Sequence, residues 1–333
     1  MSDKKQVTGT LIKGVGGLYE VEARESDGTR RLVRGRARGA LRHEKISPLP
    51  GDRVEVSLGS ADTDAEGGAD ADTAIDAILP RKNALVRPPL ANLDYLFLVL
   101  PAADPVPMPQ VADKLICLCE IKGIEPVIVV TKEDLDGDTA EKLARLYRRA
   151  GFQTFTLSTV SGEGIENFRT YLAELFRVDT PRICAFSGAS GAGKSSLMNI
   201  LFPGLSLEAG ELSRKIARGK NTTRHTELYR ISELFGEGYS GYLADTPGFS
   251  MLDFTHGFSF PLNELAHTFR EFRPYIGKCR YTKCTHTKEE ECAILQAVQE
   301  GGIPRSRHRS YVSMYGELKQ IPEWKRIKMN ENK

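Results

Sequence analysis

The residues best equipped for chemistry are Gly188, Ala189, Ser190, Gly191, Ala192, Gly193, Lys194 and Ser195, a run that fits the phosphate-loop pattern G-x-x-x-x-G-K-[ST]. Glycines at 188, 191 and 193 let the backbone curl until successive N–H groups point inward at phosphate oxygens. The positive end of a following helix, which Ser196 continues, adds to the pull on an anion. Lys194 is expected to reach the β- and γ-phosphates and Ser195 to ligate Mg²⁺. Apolar residues (Ile183, Cys184, Ala185, Phe186) precede the loop and a helical pattern (Leu197, Met198, Ile200, Leu201) follows it, so the context is strand, loop, helix.

Further stretches match parts of a guanine-nucleotide switch. Thr131-Lys132-Glu133-Asp134 is similar to the guanine-reading motif [NT]-K-x-D, in which Asp134 would accept bonds from the guanine N1–H and 2-amino group. Adenine offers neither donor, and sites built this way discriminate by about 10⁴. Taken alone, a Lys and an Asp after a strand also suit a solvated turn. Ser158 and Thr159 open a segment ending at Gly164 that looks like a base-backing loop; that loop usually begins Ser-Ala, so Thr159 is a departure. Gly219 to His225 carries Thr222 and Thr223, the residue type that caps Mg²⁺ and the γ-phosphate. Asp245-Thr-Pro-Gly248-Phe249 is a D-x-x-G element, with Asp245 expected to hold Mg²⁺ through water and the Gly248 N–H to sense the γ-phosphate.

A second chemistry lies in Cys279-x₄-Cys284-x-His286-x₅-Cys292. Three thiolates and one imidazole suit tetrahedral Zn²⁺ with no open position, hence one structural ion. A disulfide is the alternative, disfavoured in a reducing compartment. Cys117, Cys119 and Cys184 sit in apolar patterns and read as core.

The elements that must position these groups follow from texture. The 333 residues are 40% apolar and 27% charged, with a net charge of +2, which describes a globular protein of two or three domains. No apolar run reaches the ~18 residues a bilayer demands and the polar start is no secretory signal, so the expected compartment is the cytoplasm, with no membrane partner and a monomeric state. Residues 1–80 read as a small β barrel of about five strands, of the oligonucleotide-binding (OB) type, with strands among them at Val7 to Ile12, Leu18 to Ala23, Arg31 to Val33 and Arg53 to Leu58. Between Arg24 and Lys45, eight basic residues face three acidic ones, a local +5 that suits a phosphate backbone or else a solvated strand face. Ser60 to Thr73 is acidic and Gly/Ala-rich and reads as a loop. Residues 81–252 alternate unbroken apolar strands with helices, the pattern of a mainly parallel α/β sheet with ligands at the carboxyl ends of its strands. Residues 253–333 read as a helical zinc-binding domain; Arg305, Arg307, His308 and Arg309 are candidate RNA contacts, or a solvated helix face.

In most GTPases the base-reading motif follows the phosphate loop, whereas here it precedes it. Joining the old termini and reopening the chain after the D-x-x-G strand preserves the sheet, because neighbouring strands need only be adjacent in space. The second switch then leads straight into the carboxyl-terminal region, so loss of the γ-phosphate could pull on that region.

With the order TKED, GASGAGKS, TT and DTPGF, the Cys-Cys-His-Cys knuckle, the basic barrel and the stretch Arg81 to Asp94, nearly the whole chain resembles the circularly permuted, ribosome small subunit-dependent GTPase A (RsgA/YjeQ) family. The resemblance implies an OB barrel, a permuted GTPase and a zinc domain. It implies GTP and GDP as ligands, and the small (30S) ribosomal subunit with its rRNA as the partner whose late maturation is assisted and which stimulates hydrolysis. Two departures stand out. Thr131 replaces a frequent Asn, which would weaken a tether to the phosphate loop, and Asn221 replaces a His of the switch, leaving His225 as a candidate substitute. Phe249, where a water-orienting Gln often stands, cannot bond to water, so intrinsic turnover should be slow. The rival readings are an ATP-using enzyme on the same loop and an RNA-binding scaffold that only holds nucleotide.

Overall fold

A computed structural model of the chain describes residues 6–24, 29–39, 41, 47–58, 73–85, 88–203, 226–245 and 261–322. In chain order the strands are β1 (Gln6–Val15), β2 (Leu18–Arg24), β3 (Arg30–Ala37), β4 (Arg53–Ser57), β5 (Ala74–Ile78), β6 (Ala84–Leu85), β7 (Leu90–Ala91), β8 (Tyr95–Pro101), β9 (Glu125–Thr131), β10 (Thr154–Thr156), β11 (Arg182–Gly188), β12 (Glu227–Arg230) and β13 (Gly241–Asp245). The α-helices are α1 (Pro109–Lys122), α2 (Gly137–Arg149), α3 (Ile165–Phe176), α4 (Lys194–Leu201), α5 (Ile231–Phe235), α6 (Ala293–Gln299) and α7 (Arg305–Gln320). The chain divides into two compact units, one of Met1–Asp94, Ala173–Ala185 and Glu211–Phe249, the other of Tyr95–Leu172, Phe186–Gly210 and Ser250–Lys333.

In the first unit, β1, β2, β3, β5 and β4 pair in that order and β4 closes back on β1, giving a five-stranded barrel. Alternation produces this closure, because Val7, Leu11, Val21, Val33, Val54, Val56 and Ile75 fill the interior. Arg34 and Arg38 stay outside, where Arg34 pairs with Glu20 and Arg38 with Asp76. Part of the local basic charge is therefore neutralised on the barrel itself. The barrel extends into α/β structure where Lys13 of β1 pairs with Glu227 of β12 both in register and as an ion pair of 2.7 Å. Beside it the buried Glu22 carboxylate accepts from Arg230 Nε (2.8 Å) and the Tyr242 hydroxyl (2.9 Å). β12 runs antiparallel to β13, and β13 parallel to β11.

In the second unit β8, β9 and β10 are parallel neighbours. Val127 to Val130 and Leu96 to Leu100 are buried without interruption, as strands covered on both faces demand. Phe97 meets Phe186 at 4.8 Å and Phe168 at 5.5 Å between ring centroids, a contact that seats α3 on the sheet. Asp136 caps α2, its carboxylate accepting from the Thr139 N–H at 2.9 Å. The carboxyl-terminal region starts with two 3₁₀ turns, Leu262–Thr268 and Arg270–Tyr275, continues through α6 and α7, and buries Leu265, Phe269, Phe272, Ile294, Tyr311 and Met314 in one core.

Candidate functional site

β11 ends at Gly188, where an added Cβ would lie 2.5 Å from the Val99 carbonyl oxygen, so only glycine lets the chain pass β8 into the loop. Gly193 caps α4 at φ +89°, a left-handed backbone that leaves the first turn of the helix without a side-chain cap. Lys194 is bent back over the loop, its Nζ donating to the carbonyls of Gly188 (2.7 Å) and Ala189 (2.9 Å). Burial pushes its ammonium down to about 8. A cation held at strained charge beside the exposed amino end of a helix is a site that gains by taking up an anion. Ser190, Gly191, Ala192, Ser195 and Ser196 complete the segment between β11 and the first turn of α4.

The base-reading stretch meets this loop directly. Thr131, buried at the end of β9, donates its hydroxyl to the Ala192 carbonyl at 2.7 Å. The tether to the phosphate loop that the sequence led us to expect weakened is therefore in place, carried by a hydroxyl-to-carbonyl bond. Lys132 follows at φ +61° and its ammonium donates to the Asp104 carbonyl, tying the loop after β8 to the loop after β9. Asp134 is exposed at the rim of these loops. Ser158 is fully buried, and its Oγ accepts from the amides of Val160 (3.1 Å) and Ser161 (3.0 Å), which shapes the loop after β10; Thr159 beside it is half-buried. Asp104 was missed by sequence reasoning, although an Asp-Pro pair just beyond an apolar strand was a usable signal. Asp245 is the last residue of β13. Thr222, Thr223 and Gly248, together with Asn221, His225 and Phe249, lie outside the described residues.

The second site is a metal-type cluster. The ligand atoms of Cys279, Cys284, His286 and Cys292 all lie within 4.8 Å of one another. Cys279 Sγ and Cys292 Sγ are 3.7 Å apart, and each is 3.5 Å from His286 Nδ1. Tetrahedral zinc bonds of about 2.3 Å to sulfur and 2.0–2.1 Å to nitrogen imply edges of about 3.8 and 3.6 Å, so the donor set fits that ion. The sulfurs are too far apart for a disulfide, and all six cysteines are free. Burial pushes the Cys284 thiol up to about 12 and the His286 imidazolium down, which leaves the ring neutral and ready to ligate. A divalent cation would reverse the thiol shift.

A family model for the RsgA GTPase matches residues 78–255, and one for the RsgA N-terminal domain matches residues 8–67. The chain belongs to the RsgA GTPase family. The small ribosomal subunit biogenesis GTPase RsgA of Ruminiclostridium cellulolyticum is 36% identical over 317 residues, 95% of both chains. Its namesake in Geobacillus kaustophilus is 39% identical over 316 residues, 94% of this chain and 97% of the relative. Among solved structures, YloQ, described as a circularly permuted GTPase, aligns with a TM-score of 0.72 at 31% identity over 97% of this chain and 99% of its own. YjeQ from Thermotoga maritima gives the same TM-score and identity over 96% and 100%. The order of this chain is that of a permuted RsgA GTPase, with the base motif after β9, the phosphate loop after β11 and Asp245 at the end of β13.

The RsgA carboxyl-terminal region corrects one expectation. Arg307 and His308, read as RNA contacts, both face inward. Arg307 is fully buried, ion-paired with Asp113 of α1 and Glu271, and its guanidinium lies 4.6 Å from the Phe269 ring centre. His308 Nε2–H donates to the His286 carbonyl at 2.8 Å. Arg305 and Arg309 remain exposed on α7.

Proposed function

We propose that this RsgA-family GTPase binds GTP between the loops that end β9, β10 and β11, hydrolyses it slowly alone, and is accelerated by the small ribosomal subunit whose late maturation it assists. Asp134 reads guanine, with Thr131, Lys132, Ser158 and Thr159 shaping the base side. The loop amides from Gly188 to Ser196 and the Lys194 ammonium bind the phosphates and offset the charge that builds as water attacks the γ-phosphate in line. Mg²⁺ carried in with the nucleotide would be held by Ser195 and, through water, by Asp245, and would neutralise charge between the β- and γ-phosphates. Thr222, Thr223 and the Gly248 amide sense the γ-phosphate. The Cys279, Cys284, His286 and Cys292 set holds one structural Zn²⁺.

We assign residues 1–80 to the barrel, 81–252 to the GTPase domain and 253–333 to the zinc domain. The protein acts as a cytoplasmic monomer on rRNA, and no described helix is long and apolar enough to cross a membrane. The observation that carries the reading is the hydrogen bond from Thr131 to Ala192, which joins a guanine-type motif to a phosphate loop that follows it in the chain.

The test is phosphate release from GTP with purified small subunits, large subunits and intact ribosomes. Small subunits should accelerate release strongly, toward the roughly 10³ to 10⁵ that assistance in trans can supply, and large subunits should not. No acceleration by small subunits rejects the partner. ATP displacing a fluorescent guanine nucleotide as well as GDP does rejects the role of Asp134.

A further inference from the structure

One carboxylate organises the loop that presents two of the four metal-type ligands. Glu289, half-buried, accepts from the backbone amides of Thr285 (2.9 Å), Thr287 (3.0 Å) and Lys288 (3.2 Å) and from the Thr285 hydroxyl. These donors flank Cys284 and His286 along a single turn of chain. Amides that converge on one point repel one another, and a full negative charge is what offsets the repulsion. Against the upward push of burial, the Thr285 hydroxyl and these amides hold the Glu289 carboxyl at about 2. Within the turn His286 sits at φ +58°, a left-handed conformation uncommon for a residue with a side chain. Its carbonyl and that of Thr285 are bonded from outside by His308 and by the Tyr311 hydroxyl (2.7 Å).

We propose that Glu289 is the positioning residue of the metal centre, folding residues 284–288 into the shape that aims Cys284 Sγ and His286 Nδ1 before an ion arrives. The proposal rests on reading the Cys₃His set as a zinc site. Glu289 reaches the ion only through the loop, since its two oxygens are occupied by the four donors. Glutamine is nearly the same size, but it offers one acceptor oxygen in place of two and turns an N–H₂ group toward backbone N–H groups. The turn then loses its anion and the ligands lose their aim, with no ligand removed.

Glu289→Gln in the full-length chain, titrated with Co²⁺ and Zn²⁺ against a chromophoric chelator, tests this. Wild type should give the absorption of tetrahedral Cys₃His cobalt. Glu289→Gln should keep that spectrum while binding both ions about 10–100-fold more weakly, the range found for partners of metal ligands. Equal affinity overturns the positioning role and leaves the metal reading intact. A wild type without the cobalt spectrum overturns the metal reading itself. Thr285→Val, which keeps the carboxylate and removes one donor, serves if Glu289→Gln does not fold: a several-fold loss of affinity is expected, and none refutes the proposal.

Discussion

Two loops of this protein solve the same electrostatic problem in opposite ways. The phosphate loop, Gly188 to Ser195, gathers its backbone with left-handed glycines at 191 and 193 and keeps a cation, Lys194, resting on its own carbonyls. The metal loop, Cys284 to Glu289, has no glycine and fills its ring of amides with a carboxylate from its own chain. One loop is built for an anion that comes and goes; the other is closed with an anion that never leaves. Titration follows the same division. Lys194 changes charge near pH 8, inside the working range, whereas Glu289 stays charged down to about pH 2.

The largest effect should come from opening the closed loop. Treating the protein with a chelator should strip the proposed ion from its four side chains, and the body that the carboxyl-terminal region shares with α1 should melt earlier, seen by calorimetry as a Tm at least about 5 °C lower. An unchanged Tm would mean that packing around Phe269, Phe272 and Tyr311 suffices without the ion.

Next is the cation of the poised loop. Lys194→Ala should weaken GTP binding by about 100-fold or more and abolish turnover, since hydrogen bonds between charged groups are worth roughly 1.5–3 kcal/mol each before long-range attraction is added. Zinc content of the same variant should match wild type. A steady-state GTPase rate equal to wild type would refute the role of Lys194.

A smaller loss is expected at the tether. Thr131→Val leaves the Ala192 carbonyl without its donor, about 1–2 kcal/mol, so GDP affinity should fall about 5- to 30-fold by fluorescence titration. Thr131→Asn should restore most of it. If valine binds as well as threonine, the bond at 2.7 Å is incidental to the site.

The mildest test concerns protons. Because the folded Lys194 ammonium is held below its unfolded value of 10.5, its charge is a cost to the nucleotide-free protein that is full below about pH 8, begins to lift as pH rises through that value and is gone above 10.5. Phosphate binding favours the charged form and so takes up a proton above about pH 8. Calorimetry of GDP binding in two buffers at about pH 8.5 should report net proton uptake of a large fraction of one proton, and affinity should fall as pH rises further. Zero uptake would mean that the lysine is already fully charged there.

The parts of the molecule that could be read before folding are those written in local spacing. Apolar runs at Tyr95 to Leu100 and Pro126 to Val130, glycines at 188, 191 and 193, and four ligands within Cys279 to Cys292 each need only a few neighbours to be recognised. What escaped depends on partners far along the chain. Arg307 looks like a surface charge until it meets Asp113, 194 residues away. Glu22 looks solvated until Arg230 and Tyr242 cover it. The point where β13 begins, Gly241, follows a Ser240 N–H that bonds instead to the Phe176 carbonyl at 2.8 Å, a partner 64 residues back in the chain. Thr131 was judged by residue type, while its reach depended on where β9 ends.

The ion cluster around Arg307 carries a practical lesson about dissecting this protein. A chain truncated ahead of α7 would keep the Asp113 and Glu271 carboxylates in an apolar interior and strip them of the guanidinium that balances them, a loss of about 3–5 kcal/mol for a pair broken on one side. The tail is thus a required part of the hydrophobic body that α1 belongs to, and a shortened catalytic fragment should come out insoluble however intact its nucleotide motifs are.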